Sequence, residues 1–361
     1  CDWSSDVCSS DLGVIIMHKY ILSAVSVAAV AVMLAPAPAI SAEFTLRMQT
    51  FIPPVANPAK HFLAPWAKKI GKASKGRIEV KPFWAMALGG KAPQLIDQVR
   101  DGVVDIVWTL PGFTAGRMPR VEVFELPFVH RDAVSTTMAL QEFRETHLVE
   151  EMKDYHVLLA HAHAGAMFMT TRPVMKMEDL KGMTLRGHNR IGVWFLQSLG
   201  TAGIATPLGR IPSMLSKGVI QGSLLPFEIS PAVKMHELTS YFTQLSGDQK
   251  RISTAVFTFM MNKKSYAKLP PDLKKVIDDN SGWHIARKTG ITWEKIEKPG
   301  EKVMRSKSKN HFNTINMAET NRIKAASKKV LSRWFETVKK AGVDGPALLS
   351  DARGLIEKYS N

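Results

Sequence analysis

The chain has 361 residues, of which 45% are hydrophobic, so it is long enough for two domains and too apolar to be a disordered polymer. Its formal net charge of +16 would suit nucleic-acid binding, but the basic residues are spread along the chain and no zinc or RNA-binding motif accompanies them. We therefore interpret the charge as a positive field that draws anions toward a cleft.

The N-terminal part of the sequence divides into two segments. Residues 1–16 have no periodicity and fit nothing downstream, so we interpret them as an upstream translation or sequencing artefact. Residues 17–42 combine a basic start, an apolar run at 21–35 and a small-residue cleavage site after Ala42, which is the pattern of a signal peptide. A membrane anchor is the alternative, but the apolar run is short for a span. The sequence therefore predicts an exported protein.

From residue 43 onward, apolar segments alternate between strand and helix patterns. The predicted elements are a strand at 44–51, a helix that Asn57 and Pro58 begin and that ends near Gly71, a strand at 77–83, a helix around 95–99, a strand at 103–110 and a long helix over 132–154. Strand–helix alternation at this spacing is typical of an α/β fold with parallel strands.

A second block of the same kind follows. The first predicted elements are a strand-like run at 156–171, a turn and strand at 178–186, a helix at 191–200, a strand at 203–208, a helix at 211–218 and a strand at 219–227. A further strand at 255–262 could return to the first sheet. The last elements are helices from Asp272 toward Lys298 and from Ala318 onward. Two blocks with a return strand predict two lobes joined by crossing segments. We assign 43–164 plus 252–291 to lobe I and 165–251 plus 292–361 to lobe II, with a ligand in the crevice at the carboxyl ends of the strands.

Several sequence blocks resemble one family when they are taken together. In chain order they are LGGKAPQLIDQVRDGVVDIVW, VEVFELPFV, TTRPVMKMEDLKGMTLRG, LSKGVIQG and NKKSYAKLPPDLKK. The chain resembles the solute-binding proteins of tripartite ATP-independent periplasmic (TRAP) transporters, of the dicarboxylate-binding-protein type. The resemblance implies a two-lobed "Venus flytrap" with a helical C-terminal part, which closes on an organic acid and delivers it to a membrane permease. It implies no enzyme activity, no catalytic residue and no cofactor, and it leaves open whether the protein is a monomer or a dimer.

In the family, the arginine after the "DLKG" turn binds the ligand carboxylate, and the resemblance places Arg186 in that role. The chemistry agrees, because a guanidinium offers a planar fork of donors that matches both carboxylate oxygens. A water-excluding cleft would strengthen the pairing. The alternative is a surface arginine paired with Glu178 or Asp179.

The sequence also departs from the family pattern. Met167 stands where many relatives carry a second arginine, and Gln221 and Leu225 replace an aspartate and an asparagine of the pattern "GVVDGQENP". Two polar ligand contacts of the family are therefore missing, which argues against a sialic-acid or dicarboxylate binder. The stretch LLPFE at 224–228 resembles an "LLPWE" stretch of one group within the family, with Phe227 in place of tryptophan.

The remaining predicted ligand-binding residues lie at strand ends or in loops that should face the crevice. The apolar ones are Trp108, Phe113, Phe168, Leu225 and Phe227. Apolar and aromatic walls with one cationic anchor suit a monocarboxylate with an apolar or aromatic body, although each of these residues could instead be core. Arg117 is either a second anion contact or a solvated loop arginine. Glu228 either orients Arg186 or accepts a ligand hydroxyl.

Three other functions remain as alternatives. His161 and His163 lie two residues apart and would share a face of a strand, but a metal site needs a third ligand, and both cysteines of the chain fall within residues 1–16. A hydrolase is disfavoured, since the sequence has no G-x-S-x-G, H-E-x-x-H or Walker motif. A ligand-binding protein for a sensor stays possible, and neighbouring permease genes would distinguish it from a transport protein.

Overall fold

The computed structural model describes residues 42–360. The predicted segment at 1–16 and all but the last residue of the predicted signal peptide lie outside this range. Within the described range, no helix combines the length and the apolar character needed to cross a membrane.

The described residues form eleven strands and twelve α-helices. The strands are β1 (Phe44–Thr50), β2 (Ile78–Phe83), β3 (Ile106–Thr109), β4 (Tyr155–Ala162), β5 (Met167–Thr170), β6 (Thr184–Gly187), β7 (Ala202–Ala205), β8 (Gly222–Leu225), β9 (Tyr241–Gln244), β10 (Val256–Asn262) and β11 (His311–Thr314). The helices are α1 (Ala64–Ala73), α2 (Leu95–Asp101), α3 (Ala133–His147), α4 (Val149–Met152), α5 (Arg190–Ser198), α6 (Ile211–Ser216), α7 (Met235–Leu238), α8 (Lys263–Ala267), α9 (Pro271–Asp278), α10 (Trp283–Arg305), α11 (Met317–Lys339) and α12 (Gly345–Lys358).

The strands build two separate sheets. The first has the order β2-β1-β3-β10-β4, in which β1 is parallel to β2 and β3, while β10 is antiparallel to both β3 and β4. The second has the order β11-β9-β5-β8-β6-β7, in which β6 is parallel to β7 and β8. The predicted α/β fold with a return strand is therefore confirmed.

Helix boundaries differ from the prediction where local side chains have other partners. The Asn57 side chain does not cap the first helix, because it donates a hydrogen bond to the Glu228 carbonyl oxygen (2.8 Å). The predicted helix over 132–154 divides into α3 and α4, and the one over 272–298 divides into α9 and α10. The second break occurs before Gly282, whose φ of 51° departs from helical geometry.

Two of the segments that carry the chain from one sheet to the other hydrogen-bond to each other. The Ala166 N–H donates to the Ser253 carbonyl (2.8 Å), and the Ile252 N–H donates to the Ala166 carbonyl (3.0 Å). Gly165 has a φ of +99°, and a Cβ at this position would lie 2.5 Å from the Cβ of Arg251. Glycine is therefore required where the crossing segments pack most closely.

The C-terminal helices pack on different sides of the molecule. Helix α11 packs against α5, beside the second sheet, whereas α12 packs against α3, beside the first. Helix α10 also continues through the predicted lobe boundary at 291/292 without a break. The division into lobes remains a prediction; α12, which it assigns to lobe II, packs mainly against α3 beside the first sheet.

Candidate functional site

A cavity lies where the carboxyl ends of strands from both sheets meet. From the first sheet it is lined by residues at or just after the ends of β1 and β3, including Phe51 and Trp108, and by Phe257 of β10. From the second sheet it is lined by Arg186 of β6 and Leu225 of β8. The carboxyl ends of strands are where open α/β sheets usually bind their ligands.

Arg186 supplies the positive charge of the cavity. The residue is 2% exposed, and its register places it between Ile204 of β7 and Ser223 of β8. Its Nε donates to the Thr206 carbonyl (3.1 Å), and within residues 42–360 no carboxylate forms an ion pair with it. Burial lowers the pKa of Arg186 to about 10, which still leaves the guanidinium charged at neutral pH. A buried cation without an anionic partner is costly, so this position favours an anionic ligand.

Two further polar groups of the cavity have unpaired atoms. His188 lies two residues after Arg186, and burial lowers its pKa to about 3, so its imidazole is neutral. Burial raises the pKa of Glu228 well above its usual range, which favours the uncharged acid. Neither His188 Nε2 nor Glu228 Oε2 has a partner at normal bonding distance among the residues that the structure describes, and the indole N–H of Trp293, itself without a partner there, lies beside the Glu228 carboxyl group. The cavity therefore carries one positive charge, from Arg186, beside two neutral polar groups.

Aromatic rings form the first-sheet wall of the cavity. Trp108 stacks on Phe51 at 5.5 Å and on Phe257 at 4.4 Å between ring centroids, with interplanar angles of 5° and 6°. Phe113 meets Phe51 edge-on at 5.1 Å. The Trp108 indole N–H donates to His161 Nε2 (2.8 Å), which fixes the indole plane. These rings form an apolar aromatic wall, which suits an aromatic ligand body.

The two histidines considered for metal binding are engaged within the protein. His161 Nε2 accepts from Trp108, and His163 Nδ1 accepts from the Gly165 N–H (2.8 Å). Burial lowers the pKa of His161 to about 3. Across residues 42–360, no group of three His, Cys, Asp or Glu side chains is placed to hold a metal ion.

Polar contacts join the two sides of the cleft beside the cavity. The segment Val121–Glu125 precedes α3, and the residues before and at the start of α5 reach it. Arg190 pairs with Glu122 at 2.6 Å, and the Asn189 amide donates to Glu125. Asn189 also caps α5 by accepting from the Gly192 N–H (2.9 Å). Both acidic partners are buried, at 2% and 1% exposure, so these contacts are shielded from water.

The structure brings together five of the eight predicted ligand-binding residues. Those that line the cavity are Trp108, Phe113, Arg186, Leu225 and Glu228. The other three need correction. Arg117 pairs with Asp97 (2.6 Å) on the surface. Phe168 is fully buried and stacks on Phe195. Phe227 turns away from Glu228 and packs near Phe242 and Phe312 under the Arg251 guanidinium.

Other lining residues were not predicted from the sequence. They include Phe51, His163, His188, Leu208 and Phe257. For His188 a signal was available, because residues two apart on a strand point to the same face and Arg186 was already assigned. Phe257 gave no such signal, since every residue of β10 is buried and the strand shows no alternation.

The chain is similar to known proteins over most of its length. The family model for bacterial extracellular solute-binding proteins, family 7, matches residues 52–337. A curated relative, the outer membrane transporter protein TsaT of Comamonas testosteroni, is 24% identical over 309 residues, which cover 84% of this chain and 89% of the relative.

Two solved structures share both fold and sequence with the chain. One is a marine metagenome TRAP solute-binding protein specific for aromatic acid ligands, in complex with metahydroxyphenylacetate. It has a TM-score of 0.86 and 39% identity, over 88% of this chain and 100% of that one. The same protein was also solved with 3-hydroxybenzoate. The other is a TRAP solute-binding protein from Rhodoferax ferrireducens T118 with copurified benzoate. It has a TM-score of 0.85 and 40% identity, over 88% of this chain and 98% of that one.

Proposed function

Because the chain belongs to family 7 of the bacterial extracellular solute-binding proteins and is a TRAP solute-binding protein, we propose that it captures an aromatic monocarboxylate in the cavity around Arg186. Proteins of this type bind small organic acids and work with membrane permease subunits, and they are not enzymes. The proposal adds the ligand class and the residues that bind it.

The buried charge of Arg186 is the observation that carries the proposal. Its guanidinium lacks an anionic partner in the described part of the chain, and a ligand carboxylate would supply one. Glu228 favours its neutral form, so it does not offset that charge. One cation matches one carboxylate, and a dicarboxylate would leave its second charge uncompensated in an apolar cavity.

The aromatic wall supports the second half of the ligand assignment. The rings of Phe51, Trp108 and Phe257 form an apolar aromatic wall against which a benzene ring can pack. The two similar structures bind benzoate, 3-hydroxybenzoate or metahydroxyphenylacetate, each of which joins one carboxylate to an aromatic ring. We infer the same class for this chain, with closure of the lobes over the ligand.

Export and delivery complete the proposal. Residues 17–42 would act as a cleaved signal peptide, and the liganded protein would pass the acid to the permease subunits of a TRAP transporter in the periplasmic space.

A ligand can favour the closed form only through contacts that the open form lacks, and Arg186 on one sheet and Trp108 on the other provide such a pair.

The experiment is a thermal-shift screen of the purified protein, dialysed extensively to remove bound ligand and then followed by calorimetric titration. The panel holds benzoate, 3-hydroxybenzoate, phenylacetate, succinate, 2-oxoglutarate and glucuronate, with Zn²⁺ as a further arm. We expect the aromatic monocarboxylates to give the largest stabilisation, because any ligand that binds only the folded state raises its apparent stability. Stabilisation by succinate or glucuronate alone would contradict the aromatic assignment, and stabilisation by Zn²⁺ alone would contradict the organic-acid function.

A further inference from the structure

We propose that one exposed face of helix α10 binds the anionic headgroups of phospholipids and so holds the protein at a membrane surface. Four lysines form this face, which we call the lysine face: Lys288, Lys295, Lys298 and Lys302. None of the four lines the cavity around Arg186. The inference therefore goes beyond the proposed function, because it concerns where the protein docks and not which acid it captures.

The helical repeat places the four lysines on one side of α10. Successive members are separated by seven, three and four residues, which is the spacing of one face of a helix. All four are exposed, and at about 1.5 Å per residue the face extends about 20 Å from Lys288 to Lys302. The opposite side of the helix is buried in the core through Ile285, Trp293, Ile296 and Met304. The lysine face therefore points to solvent along its whole length.

The acidic residues of α10 do not neutralise the lysine face, because each has another partner. Glu294 accepts a hydrogen bond from the first backbone N–H of α3 (2.7 Å). Glu297 pairs with Arg251 at 3.0 Å, and Glu301 pairs with Arg305 at 2.7 Å. Within residues 42–360, no carboxylate forms an ion pair with a lysine of the face. The face therefore keeps its positive charge for a partner outside the chain.

The neighbouring helix α1 extends the positive surface. Residues 44–78, which include α1, contain no acidic residue, and the exposed lysines among them are Lys60, Lys68, Lys69, Lys72 and Lys75. Lys69 of α1 and Lys288 of the lysine face line the same shallow groove, together with His61. The positive charge is thus continuous from one helix to the next, and such a surface attracts anions over a distance.

The chemistry of lysine favours a lipid surface over an acidic protein as the partner. Protein–protein interfaces are depleted in lysine and enriched in arginine and aromatic residues, whereas the face holds four lysines and no arginine. A lysine carries a compact charge on a flexible stem, so it suits mobile phosphate groups better than a fixed carboxylate. Proteins of this type also work with membrane permease subunits, so they have to come close to a membrane.

The test measures co-sedimentation with phospholipid vesicles, either of phosphatidylcholine alone or with about 30% phosphatidylglycerol. The protein is purified from the periplasm of the expression host, because the apolar run at 21–35 would bind vesicles by itself. One variant replaces all four lysines of the face by glutamine, and a second replaces them by arginine. Circular dichroism checks that each variant is folded.

Helix α11 supplies the matched control. Four exposed lysines lie in its second half and at its end, and an exposed acidic residue, Glu336, lies among them. The control variant is Lys328→Gln/Lys329→Gln/Lys339→Gln/Lys340→Gln. It loses as many charges as the glutamine variant of the lysine face, so the two variants have the same net charge and differ only in which surface is changed.

We expect the wild-type protein to bind the anionic vesicles and not the neutral ones at about 50 mM salt, and to dissociate at about 0.5 M salt, since salt screens exposed charges. The glutamine variant of the lysine face should bind at least about tenfold more weakly, because each lysine near an anionic membrane increases binding about fivefold. The arginine variant and the α11 control should stay within about threefold of the wild-type protein.

Four results would overturn the inference. They are no binding to anionic vesicles, equal binding to neutral ones, equal weakening in the glutamine variant and the α11 control, and tighter binding to immobilised polyglutamate than to anionic vesicles. The third would mean that binding follows net charge, and the fourth that the face recognises an acidic protein. Because no aromatic acid is present in this test, its failure leaves the proposed function unaffected.

Discussion

Arg186 combines two properties that rarely occur together in a stable protein: deep burial and, within residues 42–360, the absence of a counter-charge. The one hydrogen bond that its side chain forms there, from Nε to the Thr206 carbonyl, leaves the terminal nitrogens for another partner. An unpaired, buried guanidinium destabilises the unliganded protein, and a bound carboxylate would remove that destabilisation. On this view, the cavity is prepared for an anion before any ligand is present.

Replacement of Arg186 should separate binding from stability. We expect Arg186→Gln to weaken binding of an aromatic acid by about a hundredfold or more, since losing one partner of a buried charged pair costs roughly 3 kcal/mol. The unliganded variant should be no less stable than the wild-type protein, because the change removes an uncompensated buried charge. Calorimetric titration and urea unfolding measure the two quantities.

Arg117→Gln is the matched control for this prediction. Arg117 was predicted as a second anion contact, but it pairs with Asp97 on the surface, so its loss should leave ligand affinity unchanged. A large loss of affinity in Arg117→Gln, or none in Arg186→Gln, would show that the carboxylate binds elsewhere.

His161 should make the protein less stable in acid. Burial lowers its pKa to about 3, while in the unfolded chain it titrates near 6.5. Between these values only the unfolded chain takes up the proton, so His161 lowers the free energy of unfolding as pH falls from 6.5 toward 3, by up to about 1.4 kcal/mol per pH unit. His161→Gln retains an acceptor for Trp108. It should reduce the dependence of the free energy of unfolding on pH by up to about 1.4 kcal/mol per pH unit, the value for one proton.

Urea unfolding at several pH values between 4.5 and 7.5 measures that slope. His284→Gln serves as the control, because His284 is exposed, and its slope should equal that of the wild-type protein. Equal slopes for His161→Gln and the wild-type protein would mean that His161 takes up its proton in the folded state as readily as in the unfolded one.

At the residue level, strand ends were the most informative part of the sequence. Arg186, Trp108 and Leu225 could be predicted as lining residues because each lies on a strand near its carboxyl end. The loop residue Phe227 could not be placed, since alternation stops where a strand ends and the direction of the side chain then depends on the turn. For Arg117 the sequence left two alternatives, an anion contact or a solvated loop arginine, because its partner Asp97 lies on a different element. The pairing with Asp97 favours the second alternative.

Among the elements, the long and strongly apolar ones were predicted well. The run that forms β10 was identified as a strand that could return to the first sheet, and the structure places it between β3 and β4. The four-residue strands β9 and β11 were missed. Strand β11 lies at the sheet edge with its side chains exposed or half-buried, so neither an apolar run nor an alternating pattern marks it.

The contact between the start of α5 and the segment 121–125 should contribute strongly to stability. Arg190→Met would leave Glu122, which is 2% exposed, without its cation, and we expect a loss of about 3 kcal/mol in the free energy of unfolding. The double variant Arg190→Met/Glu122→Met should recover most of that loss, because no unpaired charge remains. Urea unfolding of the complete double-mutant cycle measures the coupling.

An exposed ion pair provides the comparison for this cycle. Lys275 and Asp279 pair at 2.8 Å with side chains 74% and 48% exposed, so Lys275→Met should cost less than about 1 kcal/mol. If Arg190→Met lowers the free energy of unfolding by no more than Lys275→Met does, the contact across the cleft does not stabilise the structure.

For the molecule as a whole, the burial of the cavity has a mechanical implication. Arg186 and Trp108 are 2% and 1% exposed, so a ligand cannot reach them unless the two sheets move apart. We expect small-angle X-ray scattering to give a larger radius of gyration for the protein without ligand than with saturating benzoate. Arg186→Gln should show no change on adding benzoate at the same concentration. Superimposable curves for the free and liganded wild-type protein would contradict a closing motion.

The position of β10 inside the first sheet also constrains how the chain folds. Residues 256–262 pair with both β3 and β4, so the sheet that begins at residue 44 stays incomplete until residue 262 has been synthesised. Helix α3 is covered by α10, at residues 283–305, and by α12, at residues 345–358. Contacts between such distant parts of a sequence make folding slow, because long loops must close before those contacts form. The first-sheet wall of the cavity therefore forms late, and a chain that ends before residue 256 would complete neither the first sheet nor the stacked aromatic wall.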